Sequence, residues 1–295
     1  MVIASRQSEL ENICIGIGFR RCGSSWLHRL LSAQSSVHKP KDGLHFFSEQ
    51  YERGIEWYET EIMRPSNNTN NIVEMSVSYS YPEYAHVVAQ RIFDMFGQTP
   101  IFAVVRNPVD RAYSDFLRSL RTKEIAETSF VRAMGMYPEF VERGRYAQLL
   151  QPFVNIFGSD AVHVLIYEEL LADPERELGR LLAALNIPFN SDEFLIYDRK
   201  LDWGRPRSQG AYSLIYGVKN FSDSLAEKLN LYTYWSALKA RYIKRYQRLI
   251  ASLSEKEEID PGAKQYLTDN YRDDVKALEV MLGRTLPWGG FDNER

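Results

Sequence analysis

Residues 14–31, CIGIGFRRCGSSWLHRLL, hold the first group of side chains whose types and spacing could do chemistry. Four residues separate Gly18 from Gly23, and Ser24 and Ser25 follow directly. A strand, a glycine turn and a helix start make an anion site on general grounds. The first N–H groups of a helix lack partners, and its dipole is positive at that end. Glycines let the backbone curl so that several N–H groups aim at one phosphate. In nucleoside triphosphate loops a lysine follows the second glycine and reaches the outer phosphates. Here Ser24 stands in that place, and the loop offers Arg20 and Arg21 instead. Guanidinium forks without a lysine suit a ligand with fewer phosphates.

A second group lies in FAVVRNPVDRAYSDFLRSL, residues 102–120. Arg106 follows a buried apolar run, at a strand end where α/β sheets bind ligands. Ser114 comes eight residues later, about two turns into the next helix. Together they could grip a second anionic group. Two anion sites at neighbouring strand ends suit a nucleotide carrying two separate phosphates.

These residues need a scaffold, and the apolar pattern supplies one. Strands are expected at 12–18, 71–77, 99–105 and 161–167, each a short β-branched or apolar run. Helices are expected from Ser24 through Leu31, at 51–63, from Pro82 to about Phe96, at 109–121 and at 174–186. From about 209 onward the pattern is helical, through 263–283. Strands alternating with helices imply an α/β protein with a central parallel sheet and helices on its faces, a phosphate-loop-like three-layer fold. No linker breaks the chain, so 1–295 is expected to be one domain with a helical C-terminal part.

Composition narrows the function classes. A net charge of −3 over 295 residues argues against a general nucleic-acid binder, while leaving room for a local basic pocket. No apolar run is long enough to span a bilayer, and the N-terminal residues are too polar for a signal peptide. The two cysteines, Cys14 and Cys22, suggest no disulfide framework and fit a reducing, cytoplasmic setting. His28, His38, His86 and His163 lack ligand spacing, so no metal site is expected.

RRCGSSWL followed by VVRNPVDRAYSDF resembles sulfotransferases that use 3′-phosphoadenosine 5′-phosphosulfate (PAPS) and release 3′,5′-adenosine bisphosphate (PAP). LHFFSEQYERGIEWYETEI, residues 44–62, is similar to the His-Phe-Phe and Gly-x-x-Trp-Tyr segment of the heparan-sulfate type. Residues 143–158, 204–210 and 277–288 are similar to bacterial members, so the resemblance covers nearly the whole chain. It implies that Arg20, Arg21, Cys22, Gly23, Ser24, Ser25 and Trp26 belong to the 5′-phosphosulfate loop, although Trp26 also reads as core. It implies that Arg106 and Ser114 hold the 3′-phosphate and that Arg207, with Arg205 in competition, closes the nucleotide site. It implies no metal.

The departures bear on catalysis. Many relatives have lysine where Arg21 stands; arginine keeps the charge but is no proton donor at ordinary pH. The heparan-sulfate type has a catalytic glutamate two residues before the histidine of His-Phe-Phe, and here that position is Gly43, with Asp42 beside it. A further lysine of that type falls at Met75. Asp42, His45 and Glu49 are therefore the candidates for the base that takes the acceptor's proton. The acceptor implied is a hydroxyl of a carbohydrate, glycolipid or small metabolite. An atypical phosphate-loop kinase and a non-catalytic nucleotide- or polysaccharide-binding protein are the rival readings. The basic, aromatic segment 231–248 could meet a sugar chain or an anionic lipid surface, or could simply be a helix with one solvated face. Oligomeric state has no readable signal.

Overall fold

The computed structural model describes residues 12–38, 40, 43–62, 71–193, 205–206, 254–255 and 259–291. The chain divides into two compact units, residues 1–197 with 260–295, and residues 198–259. In the second unit the described residues form one antiparallel pair, Arg205–Pro206 with Ser254–Glu255. Arg207 and the segment 231–248 lie outside the described residues, as does Asp42.

The first unit is built on four parallel strands: β1 (Ile13–Gly16), β2 (Ile72–Met75), β3 (Ile101–Val105) and β4 (Val162–Ile166), in the order β2-β1-β3-β4. Every residue of β1, β2 and β3 is buried, as expected of a sheet covered on both faces. The parallel register places all four C-terminal ends on one edge. The first chemical group follows β1 there, and Arg106 follows β3.

Each helix that faces this edge starts with a local signal. Helix α1 (Ser24–Ser32) begins after Gly23, whose φ of 91° is left-handed and open to glycine at little cost. The 51–63 stretch is not one helix. Gly54 (φ 80°) breaks it into a 3-10 turn, Tyr51–Arg53, and α2 (Ile55–Ile62). After Pro82 the chain turns before α3 (Ala85–Phe96) begins. Helix α4 (Pro108–Thr122) has proline in its first turn, and the Asn107 side chain accepts from the N–H groups of Val109 and Asp110.

Three helices between α4 and β4 carry no strong sequence signal: α5 (Phe130–Met136), α6 (Glu139–Glu142) and α7 (Tyr146–Phe157). Helix α7 contains Pro152, which reads as a breaker, yet burial of Tyr146, Leu149, Leu150 and Phe153 holds it helical. After β4 come α8 (Tyr167–Ala172) and α9 (Pro174–Ala184), the latter capped by Asp173. The last helix, α10 (Pro261–Leu282), closes the unit against α7 and α4. From it the Asp274 carboxylate accepts the Ala147 and Gln148 N–H groups, at 3.1 and 3.0 Å, in the first turn of α7.

Candidate active site

The loop after β1 is fixed to the sheet by its backbone. Phe19 N–H donates to Val104 O, and Val104 N–H donates to Gly18 O. Cys22 N–H is spent on Phe19 O, while Trp26 and Leu27 N–H groups both turn back to Gly23 O. The N–H groups of Gly23, Ser24 and Ser25 find no acceptor among the described residues, and no side chain caps the helix. They are the donors left for an anion. A Cβ at Gly23 would lie 2.6 Å from the Tyr167 ring, so that aromatic wall stands directly against the loop. Trp26 points into the core at 7% exposure and supplies packing.

The two arginines of the loop part company. Arg21, with φ 69°, donates through Nε to Ser114 Oγ on α4 at 3.2 Å. This contact joins the two groups picked out from the sequence, although they lie far apart in the chain. Burial lowers the Arg21 pKa to about 10; Arg121, Arg118 and Arg106 add to the drop, and Asp115 opposes them. Three further guanidinium groups thus act on Arg21, which itself meets Ser114. Their mutual repulsion is what a phosphate dianion would relieve.

Arg20, expected beside Arg21 on the ligand, is instead held by carboxylates. Its Nε donates to Asp115 at 2.7 Å and its Nη2 to Glu124 at 2.8 Å. Burial works against its charge, but Asp115 and Tyr81 together outweigh it and the pKa is raised. Asp115 also binds Arg111 at 3.1 Å, and Arg111 donates to the Phe140 carbonyl. Helix α4 thus presents Ser114 to the anion site and Asp115 to a buried charge network.

Three residues that sequence reasoning missed connect the strand ends. Tyr146, fully buried on α7, donates its hydroxyl to Arg106 O at 2.8 Å and lies 3.5 Å from Cys22 Sγ. Its ring meets Phe19 edge-on, with centroids 4.8 Å apart. Tyr167, the first residue of α8, lies under Arg106, whose guanidinium carbon is 5.1 Å from the ring centroid. Glu168 accepts the Asn107 N–H at 3.0 Å and the Trp288 indole N–H at 2.9 Å. Tyr167 and Glu168 could have been found, because they follow β4 at the ligand-binding edge of the sheet. Tyr146 offered no such signal.

The candidate base hangs on the end of β2, next to β1. His45 N–H donates to Ser76 Oγ at 2.9 Å, and Ser76 donates on to the buried Glu74 at 2.7 Å. His45 Nδ1 lies 2.6 Å from Ser78 Oγ, which lies 2.5 Å from Ser48 Oγ. Ser48 gives its one proton to the His45 carbonyl at 3.2 Å. With Ser78 donating to Ser48 and accepting from Nδ1–H, Nε2 is the lone-pair nitrogen of the neutral ring. A Cβ at Gly43 would sit 2.8 Å from that Nε2. The imidazole occupies the space that a side chain at 43 would need. Among the described residues no three His, Cys, Asp or Glu groups are placed to hold a metal ion.

A parallel sheet with a glycine loop after its first strand, and an arginine cluster at the same edge, defines the class: a phosphate-loop α/β protein. Within that class the chain belongs to the sulfotransferase family, since the model of the Sulfotransferase domain matches residues 13–213. Human heparan sulfate glucosamine 3-O-sulfotransferase 5 is 27% identical over 195 residues, covering 61% of this chain and 55% of the relative. Human heparan sulfate glucosamine 3-O-sulfotransferase 6 is 32% identical over 174 residues, covering 56% and 49%. The chain spans about half the length of the curated relatives it matches. A crystal structure of a sulfotransferase from Alicyclobacillus acidocaldarius shares the fold, with TM-score 0.65 at 21% identity, over 93% of this chain and 96% of that one.

Proposed function

We propose that the chain transfers the sulfuryl group of PAPS to a hydroxyl, with a carbohydrate as acceptor. The observation that carries this reading is the contact of Arg21 with Ser114 inside a cluster of four arginines, beside three unsatisfied loop N–H groups. In this reading the loop N–H groups and the Ser24 and Ser25 hydroxyls hold the 5′-phosphate. Arg106 and Ser114 hold the 3′-phosphate, and Arg21 faces the oxygen between phosphorus and sulfur. His45 Nε2 takes the acceptor's proton as its oxygen bonds to sulfur. The sulfur–oxygen bond to the phosphate breaks, and the electron pair stays on the phosphate that leaves within PAP. Arg21 stays protonated and stabilises that growing charge. His45 is preferred over Asp42 and Glu49 because its ring is oriented by Ser78 and fills the space at Gly43. Cys14 and Cys22 are both free, with burial raising their pKa values to about 12 and about 11, so neither thiol is a candidate nucleophile.

A thermal-shift series tests the reading, because a ligand bound only by the folded state raises the melting temperature. PAP is expected to stabilise the protein strongly, and ATP with magnesium weakly or not at all. The reverse order would favour a kinase and overturn the proposal. Stabilisation by PAP without transfer of labelled sulfate to any of a wide range of glycosides would reduce the protein to a binder.

A further inference from the structure

Glu74 breaks the pattern of its strand. The other residues of β2 are Ile72, Val73 and Met75, and Glu74, like Val73, is fully buried. A wholly buried glutamate inside a sheet is costly unless its hydrogen bonds offset the lost water. Here those bonds run to the segment that carries His45. Ser76 donates to Glu74 Oε1 at 2.7 Å and accepts the His45 N–H at 2.9 Å. Tyr79 donates to the same oxygen at 3.2 Å and accepts the Phe47 N–H at 3.4 Å. Burial, reinforced by Glu74, raises the Tyr79 pKa well above its ordinary value, so the hydroxyl keeps the proton it donates. Alternate N–H groups of one segment are thus tied down. Gly43 donates to the Met75 carbonyl at 3.3 Å, and His45 and Phe47 donate to two hydroxyls that share one carboxyl oxygen.

That segment needs holding. His45 has φ 54°, in the left-handed region that a residue with a Cβ adopts only at a cost. Its carbonyl is fixed by the N–H groups of Ser48 and Gln50 and by the Ser48 hydroxyl. A hydroxyl has one proton to donate. Because the protons of Ser76 and Tyr79 go to Glu74, both oxygens turn lone pairs toward the backbone. An apolar residue at 74 would send both hydroxyls to other acceptors and let the turn relax. The His45 ring would then lose its place against Ser78, whose Oγ lies 2.6 Å from Nδ1.

We infer that Glu74 is a positioning residue: through Ser76 and Tyr79 it holds the backbone of residues 45–47 so that His45 keeps Nδ1 on Ser78 and Nε2 open as the base. The inference rests on the sulfuryl-transfer reading with His45 as base, and it adds the residue that sets the pose of that base. The full chain, labelled with ¹⁵N at its five histidines and loaded with PAP, is read by long-range ¹⁵N–¹H NMR at a pH where the rings are neutral. The His45→Gln variant assigns the His45 signals. In free histidine side chains Nε2 carries the proton in the major form. In the unaltered protein the Nδ1–H form of His45 is expected to dominate by roughly fivefold or more, since Ser78 supplies an acceptor. Glu74→Leu should make the Nε2–H form the major one. Glu74→Gln keeps an acceptor oxygen in the same place and should preserve the Nδ1–H form. The PAP-induced thermal shift should be equal in all three proteins. A merely structural Glu74 would change the melting temperature and leave the ring proton where it was. A dominant Nε2–H form in the unaltered protein, or an unmoved proton in Glu74→Leu, would overturn the inference. Should Glu74→Leu fold poorly, Ser76→Ala is read by the same criterion. A protein stabilised by PAP that fails this test loses only the role of Glu74, whereas one not stabilised by PAP loses the donor assignment as well.

Discussion

Replacing Arg21 by lysine separates charge from proton chemistry at the phosphate loop. Burial and the neighbouring Arg121, Arg118 and Arg106 bring the Arg21 pKa down to about 10. At that value the arginine is still charged about ten to one at pH 9. A lysine starts from about 10.4, and the same surroundings would carry it to roughly 8. It would be about ten to one charged at pH 7 and ten to one neutral at pH 9. PAP binds the charged form, so the affinity of the variant should fall about tenfold from pH 7 to pH 9, or ~1.4 kcal/mol. The unaltered protein should lose almost nothing in that window. The assay is a calorimetric titration of PAP at half-unit pH steps, read as the ratio of the two dissociation constants. Taking the ratio cancels the titration of the phosphates themselves. A ratio that stays within twofold from pH 7 to pH 9 would show that the four arginines do not act on one another as described. An equal fall in both proteins would refute it as well.

Other outcomes follow from the same geometry. His45→Ala should lower turnover by about 10²–10⁴ with the PAP-induced thermal shift intact, and Ser78→Ala should fall between that and the unaltered protein; unchanged rates in both would remove His45 as the base. Ser114→Ala deletes a hydroxyl beside Arg21, and PAP should bind about tenfold or more weakly, as measured by calorimetry. Gly23→Ala places a methyl 2.6 Å from the Tyr167 ring on a left-handed backbone, so stabilisation by PAP should be lost while circular dichroism shows a folded protein. Asp115→Asn leaves Arg111 and Arg20 without their shared carboxylate, one of them wholly buried. Denaturant unfolding should show a loss of roughly 3–5 kcal/mol.

The pattern of short, mostly apolar runs was enough to locate the four strands, because strands of a sheet flanked by helices are predominantly apolar. The strand ends were marked as well, and the two groups holding Arg21 and Ser114, picked out by residue type and spacing, do meet in the fold. Helix α7 was not legible: Pro152 argues locally against a helix, and only the burial of its aromatic face overrides that. For the same reason Tyr146 went unseen, since nothing near it in the chain marks it as a bridge between Cys22 and Arg106. Arg20 and Arg21 are adjacent and chemically identical in the sequence. Helix α4 turns consecutive residues to different sides, so Ser114 meets one arginine and Asp115 the other. The amino-acid pattern alone carried the α/β class and placed arginine and serine groups at two strand ends. The assembled fold settled which arginine pairs with carboxylates, which one meets Ser114, and how His45 is held. Those facts depend on residues from separate elements meeting at one edge of the sheet, and local pattern carries no information about that.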